Sequence, residues 1–240
     1  MQKKNGMLRL KVLHRLAIAF LLTSCASCTS SGNKVAKANT TKAVAKQNDK
    51  QIQKVDYTIF KQQVAFDKRK LKDSSTKAVS NFLYNVLSED IYHYWKGTPW
   101  DFNGTTQKPG EGNIACGYFI TNTLSDLSFK IQRTKLAQVV SSEMISTLCV
   151  DVKRFSDFEK FAAYVNSQAL NTVYIVGLDF HTGYVLHDSS GSYFMHSNYI
   201  NNAGVIKEQL DKAQALIHNK CFVVGSLSNN ALLLKKWVKE

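Results

Sequence analysis

Near residue 170 the hydrophobic period of the 240-residue chain changes from 3.6 to 2, and that change restricts the fold more than any other feature. Before it, apolar residues recur at helical spacing. Ser74 or Ser75 can cap a helix with Ala78, Val79, Phe82, Leu83, Val86 and Leu87 on one face. Phe119, Ile120, Thr123, Leu124 and Leu127 mark a helix that begins near Cys116, and Leu136, Val139, Val140, Met144, Ile145 and Leu148 mark the next. Ser156 with Glu159 forms a capping-box pattern for a further helix carrying Phe158, Phe161, Ala162 and Val165. After the change, 172–179, 181–188 and 192–199 are β-prone runs, the last two joined by a short hairpin turn at Ser189-Ser190-Gly191. A helix is then expected over 205–217, followed by strands over 221–226 and 231–234. Residues 56–72 fit either a weak helix or a strand with a turn. Helices precede strands and no βαβ unit repeats, so the expected class is α+β, an antiparallel sheet packed on helices.

The beginning of the chain has a different character. Lys3, Lys4, Arg9, Lys11 and Arg15 precede an apolar run over 16–22, too short to span a bilayer. It reads as a secretory leader over 1–24, and Leu22-Thr23-Ser24-Cys25 resembles the bacterial lipobox, in which the cysteine is acylated. Residues 25–54 are rich in Lys, Ala, Thr and Gln without an aromatic residue and read as a disordered tether. The folded body is then expected over 55–240, held at a membrane through lipid on Cys25, in the bacterial cell envelope and facing the periplasm or exterior. The formal charge of +13 falls to +8 without residues 1–24 and to about +3 without the six lysines and one aspartate of 31–54. The basicity therefore belongs to the leader and tether. No nucleic-acid partner is expected; exported acidic polymers or an anionic membrane surface suit the charge better.

Within the body, Gly97, Pro99, Gly104, Pro109, Gly110 and Gly112 punctuate a loop that ends at Cys116. A cysteine at the start of a helix sits among unpaired backbone N–H groups, which favour thiolate over thiol and can also hold a developing oxyanion. Cys116 is therefore a candidate nucleophile, set against its reading as a small buried hydrophobe. The aromatic residues Tyr92, Tyr94 and Trp95 before the loop either line a groove or pack in the core. Cys149 and Cys221 sit in apolar contexts that suit buried thiols, although an oxidising compartment would also permit a disulfide between them.

A thiol nucleophile needs a base, and the body offers His93, His181, His187, His196 and His218. His181 and His187 share a strand face but lie about 20 Å apart, so both cannot serve one sulfur. If paired residue numbers across the hairpin sum to an odd value, His196 and Asn198 share the face of His181. Either could then orient that ring. His187, at the turn, reads as solvated. No acidic or cysteine ligand stands at a zinc-like spacing and no phosphate-binding glycine loop appears, so neither metal nor cofactor is invoked.

Four motifs in order, GTPWDFNG from Gly97, ACGYF from Ala115, QRTKLAQ from Gln132 and HTGY from His181 with FMHS placing His196, resemble the NlpC-like family of papain-fold cell-wall peptidases. The similarity covers about residues 75–200. It implies a papain-like fold, Cys116 as nucleophile, His181 as base and His196 as orienting residue, with Trp100 and Gly117 at the substrate. Peptidoglycan stem peptides would be the substrate, cut through a thioester. Ala115 and Gly117 stand where the family has Asp and Ser, Trp100 and Phe102 shift the aromatic pattern of the loop, and the interval to His196 is three residues longer than usual. An inactive papain-fold lipoprotein that binds wall fragments or a partner protein is the alternative.

Overall fold

A computed structural model of the protein describes residues 56–240. The leader, the tether and Cys25 lie outside the described residues.

Helix α1 covers 56–70, with Tyr57, Val64 and Lys68 buried at helical spacing, which resolves the ambiguous stretch. Helix α2 (Thr76–Asn85) is capped by Ser75, whose hydroxyl accepts from the Ala78 N–H at 3.3 Å. It runs through a π turn (Val86–Ile91) into α3 (Tyr92–Trp95). Trp95 is fully buried against Tyr57 and Phe119, so it belongs to the core and not to a groove. Helix α4 (Cys116–Asp126) begins on the candidate nucleophile. Its far end is anchored by Tyr57, whose hydroxyl donates to Asp126 at 2.6 Å, and by Trp237, whose indole donates to the Leu127 carbonyl at 2.7 Å.

The single helix expected over 136–148 is two, α5 (Arg133–Gln138) and α6 (Ser141–Leu148), because Val139 and Val140 adopt extended backbone between them. Strand β1 (Val150–Phe155) follows, in a stretch left unassigned by sequence. Helix α7 (Phe158–Asn166) is capped by Asp157 instead of Ser156, its carboxylate accepting from the Lys160 N–H at 2.8 Å. Strands β2 (Thr172–Gly177), β3 (Thr182–Asp188) and β4 (Gly191–Asn198) lie where expected. Two further expectations fail. Gly204–Gln209 is strand β5 and only Gln214–Ile217 forms a helix, α8, where one helix over 205–217 was expected. After β6 (Phe222–Ser226), the expected strand at 231–234 is the start of helix α9 (Ala231–Lys239). Asn230 caps it, and Leu234, Trp237 and Val238 bury one face.

The strands form one antiparallel sheet in the order β1-β6-β2-β3-β4-β5. Alternation along the strands sends Val173, Ile175, Tyr184, Leu186 and Met195 into the core shared with α4 and α6. It sends Tyr174, Val176, Val185 and Phe194 into a second core shared with Phe161 of α7 and Leu216 of α8. Residues on both faces of β2 and β3 are therefore buried. The fold is thus α+β with a helix-covered antiparallel sheet, and no helix among the described residues is long and apolar enough to cross a membrane.

Candidate functional site

The site lies at a fork between β3 and β4. Their ladder ends at Tyr184↔Met195, while β3 stays paired with β2 to Thr182↔Gly177 and β4 stays paired with β5 to Asn198↔Gly204. The segment leading into α4 fills the fork. Ser197 donates to the Ile114 carbonyl at 2.7 Å, and the Thr182 N–H is directed at the Cys116 sulfur. The glycine-rich loop is stitched to the same elements. Gly97 N–H donates to the Val205 carbonyl at 2.8 Å, Val205 N–H to Thr98 at 2.9 Å, and Ile114 N–H to Pro99 at 2.9 Å.

The hairpin register has the odd sum that puts His181, His196 and Asn198 on one face. His181 immediately precedes β3, and its Nε2 lies 2.7 Å from Nδ1 of His196. Asn198 turns away, its side-chain oxygen accepting from the Ile200 N–H at 2.8 Å. Of the two candidates for orienting residue, His196 is the one in contact. Its other nitrogen, Nε2, lies 2.9 Å from Oε1 of Glu208 on β5. Phe194 stacks on the His196 ring at 4.1 Å, and both press on Gly183, where a Cβ would meet the Phe194 ring at 2.5 Å. The glycine of HTGY is therefore required by packing.

Burial, and after it the repulsion a protonated His196 would exert, lowers the pKa of His181 well below 6.5, and burial takes His196 down to about 3. The rings rest neutral, so the contact with Glu208 is a hydrogen bond from a neutral ring. Burial also raises the Glu208 carboxyl. For Cys116 burial pushes the thiol up, opposed by the N–H groups of Thr182, Gly117 and Cys116 itself. Its Sγ makes no hydrogen bond to the His181 ring, although both residues line the same two cavities.

One cavity, of about 670 Å³, is walled by Trp100, Phe102, Tyr118, Phe180 and Tyr199, with no Lys, Arg, Asp or Glu in its lining. Phe180 is 99% exposed and Phe102 79% exposed, forming an apolar rim. The other, of about 430 Å³, shares Cys116 and His181 with the first and carries Arg154 and Asp179 beside Ser141 and Val140. Trp100 and Gly117 both line the first of these cavities. Gly117 also faces the backbone of α5, where a Cβ would lie 2.6 Å from the Ala137 carbonyl oxygen.

His187 is buried and not solvated, its Nδ1 2.9 Å from the Ser192 hydroxyl, and it stands apart from the cysteine. Cys149 and Cys221 are free thiols, the first buried and the second exposed. Among the described residues no group of His, Cys, Asp or Glu is arranged to hold a metal ion. Glu208 was missed by sequence because 205–217 was read as helical. Read as a strand beside β4, its register sets Glu208 opposite Phe194, two residues from His196.

Comparison of the chain with protein-family models, with curated proteins and with solved structures finds no match in any of the three.

Proposed function

We propose that the protein is a papain-like cysteine hydrolase that cleaves an amide or peptide bond through a thioester, in peptidoglycan stem peptides. The observation that carries this reading is the ordered pair of imidazoles beside a cysteine at a helix N-terminus. With its Nε2 engaged by His196, His181 has Nδ1 left to accept the Cys116 proton. The thiolate then attacks the substrate carbonyl carbon, and the Cys116 N–H, which as the first N–H of α4 has no carbonyl partner within the helix, stabilises the oxyanion. His181 returns the proton to the leaving amine. Water, deprotonated by the same ring, hydrolyses the thioester and frees acid and thiol.

The wall peptide as substrate rests on the resemblance of the four motifs, and the anchor rests on Cys25. The full chain, purified in detergent, tests both. Wild type is expected to release fragments from peptidoglycan, and Cys116→Ala to lose the rate by about 10⁴- to 10⁶-fold; hydrolysis at the wild-type rate in that variant would sink the assignment. In the same preparation Cys25→Ala is expected to leave the detergent phase, and a wild-type chain found in the aqueous phase would remove the anchor.

The missing hydrogen bond between Sγ and His181 favours a second reading, a papain-like binding domain with an idle thiol. Iodoacetamide separates the two, since an idle buried thiol reacts more slowly than a free thiol at neutral pH and an activated one faster.

A further inference from the structure

Resting on the reading of Cys116 as nucleophile and His181 as base, we propose that Glu208 is a positioning residue that selects the tautomer of both histidines. The chain Glu208, His196, His181 has two self-consistent proton arrangements. A carboxylate can only accept. If Glu208 is ionised, His196 donates from Nε2, its Nδ1 must accept, and His181 donates from Nε2 across the 2.7 Å contact. His181 Nδ1 then bears a lone pair and can take a proton from the thiol. In the opposite arrangement Glu208 donates, both rings carry their protons on Nδ1, and His181 has nothing with which to deprotonate Cys116.

A histidine is an undirected orienting group, because a neutral imidazole donates or accepts equally well at either nitrogen. An Asn or Asp in its place would not face this difficulty in the same form. Here the direction is supplied one strand further out. His196 is fully enclosed, while the Glu208 side chain is 25% exposed and reaches water on its other side. The inner ring is thereby shielded and the carboxylate remains partly hydrated. Phe194, stacked on His196 at 4.1 Å and edge-on to His181 at 6.0 Å, prevents either ring from turning to exchange its nitrogens.

The test uses the full chain with ¹⁵N-labelled histidine, read by NMR for the tautomers of His181 and His196, together with the rate at which iodoacetamide alkylates Cys116. In wild type both rings are expected to be protonated on Nε2. Glu208→Gln keeps shape and partial exposure, but its amide can donate as well as accept, so the one-way demand is lost; the Nδ1–H form is expected to appear in both rings and alkylation to slow by up to about 10-fold, the scale lost when a charge-assisted hydrogen bond becomes a neutral one. Glu208→Asp, which keeps the charge, is expected to retain the wild-type tautomers. Unchanged tautomers and an unchanged alkylation rate in Glu208→Gln would overturn the proposal. The tautomers are also read in Cys116→Ala, where they do not depend on any hydrolysis. A chain that keeps its hydrolytic rate in Cys116→Ala contradicts the nucleophile while leaving the tautomer result to stand or fall separately.

Discussion

One hydrogen atom at position 117 decides how closely α5 approaches the candidate nucleophile. Any Cβ there would meet the Ala137 carbonyl oxygen at 2.6 Å, and because that atom is backbone the whole of α5 would have to move. Gly117→Ala is therefore expected to cost about 1–3 kcal/mol, as overpacking does, and to lower Tm. A Tm equal to wild type would mean that α5 yields freely. The same contact gives a physical reason for glycine at 117, since a serine there would meet the same oxygen. At this scale the sequence was informative where a residue's place follows from its own neighbours. The start of α4 at Cys116 was legible because glycines and prolines end there, and the shared face of His181 and His196 because alternation along a hairpin is a rigid rule. The contact of Glu208 with His196 was not, since it depends on a strand pairing that local spacing does not reveal.

The fork between β3 and β4 is held open by what occupies it. Ser197, fully buried, donates to the Ile114 carbonyl two residues before Cys116 and so ties β4 to the start of α4. Ser197→Ala leaves that carbonyl without its partner, and the expected loss is about 1–3 kcal/mol by urea unfolding. A variant as stable as wild type would show that water replaces the hydroxyl. The elements that sequence misread have separate causes. Val205, Ile206, Leu210, Ala213, Leu216 and Ile217 fall near helical spacing only because an edge strand, a 3-10 turn and a short helix follow without a gap. Ala231 to Leu234 resembles a strand when cut off at its leucines. The Asn230 cap and the buried Leu234, Trp237 and Val238 at helical spacing carry the correct signal. In this second case the window was matched to the apolar run instead of to its capping residue.

For the molecule as a whole, two buried neutral imidazoles make stability depend on acidity well above the range in which carboxylates titrate. Unfolded, each ring takes up a proton near pH 6.5; folded, His181 and His196 resist protonation, His196 down to about pH 3. The unfolded state then binds more protons, so this stability is whole above about pH 7 and falls as pH drops below 6.5, by up to about 1.4 kcal/mol per pH unit for each ring. Glu208 acts in the opposite sense, because its raised pKa lets the folded chain take up a proton first as pH falls. Asp67, Asp157 and Asp188, whose carboxyls are lowered, lose their contribution only below their unfolded value of 3.8. Urea midpoints at pH 7 and pH 5 are expected to differ, with a smaller difference in His196→Asn; equal midpoints in wild type would contradict neutral burial of the rings.

The two margins of the sheet have a bearing on how such a chain behaves at high concentration. At β1 the register shifts between Val150 and Lys153, Asp151 has φ 53°, and Asp151, Lys153 and Arg154 are exposed. At β5 the outward N–H and carbonyl of Val205 are already taken by Thr98 and Gly97. Bulges, charges and covering loops are the means by which open sheets avoid recruiting a strand from another copy. Both routes to polymerisation are thus narrowed, and the segment that covers Val205 is the same one that carries Trp100 into the groove. Loosening that segment would open an aggregation edge and a substrate wall in one event.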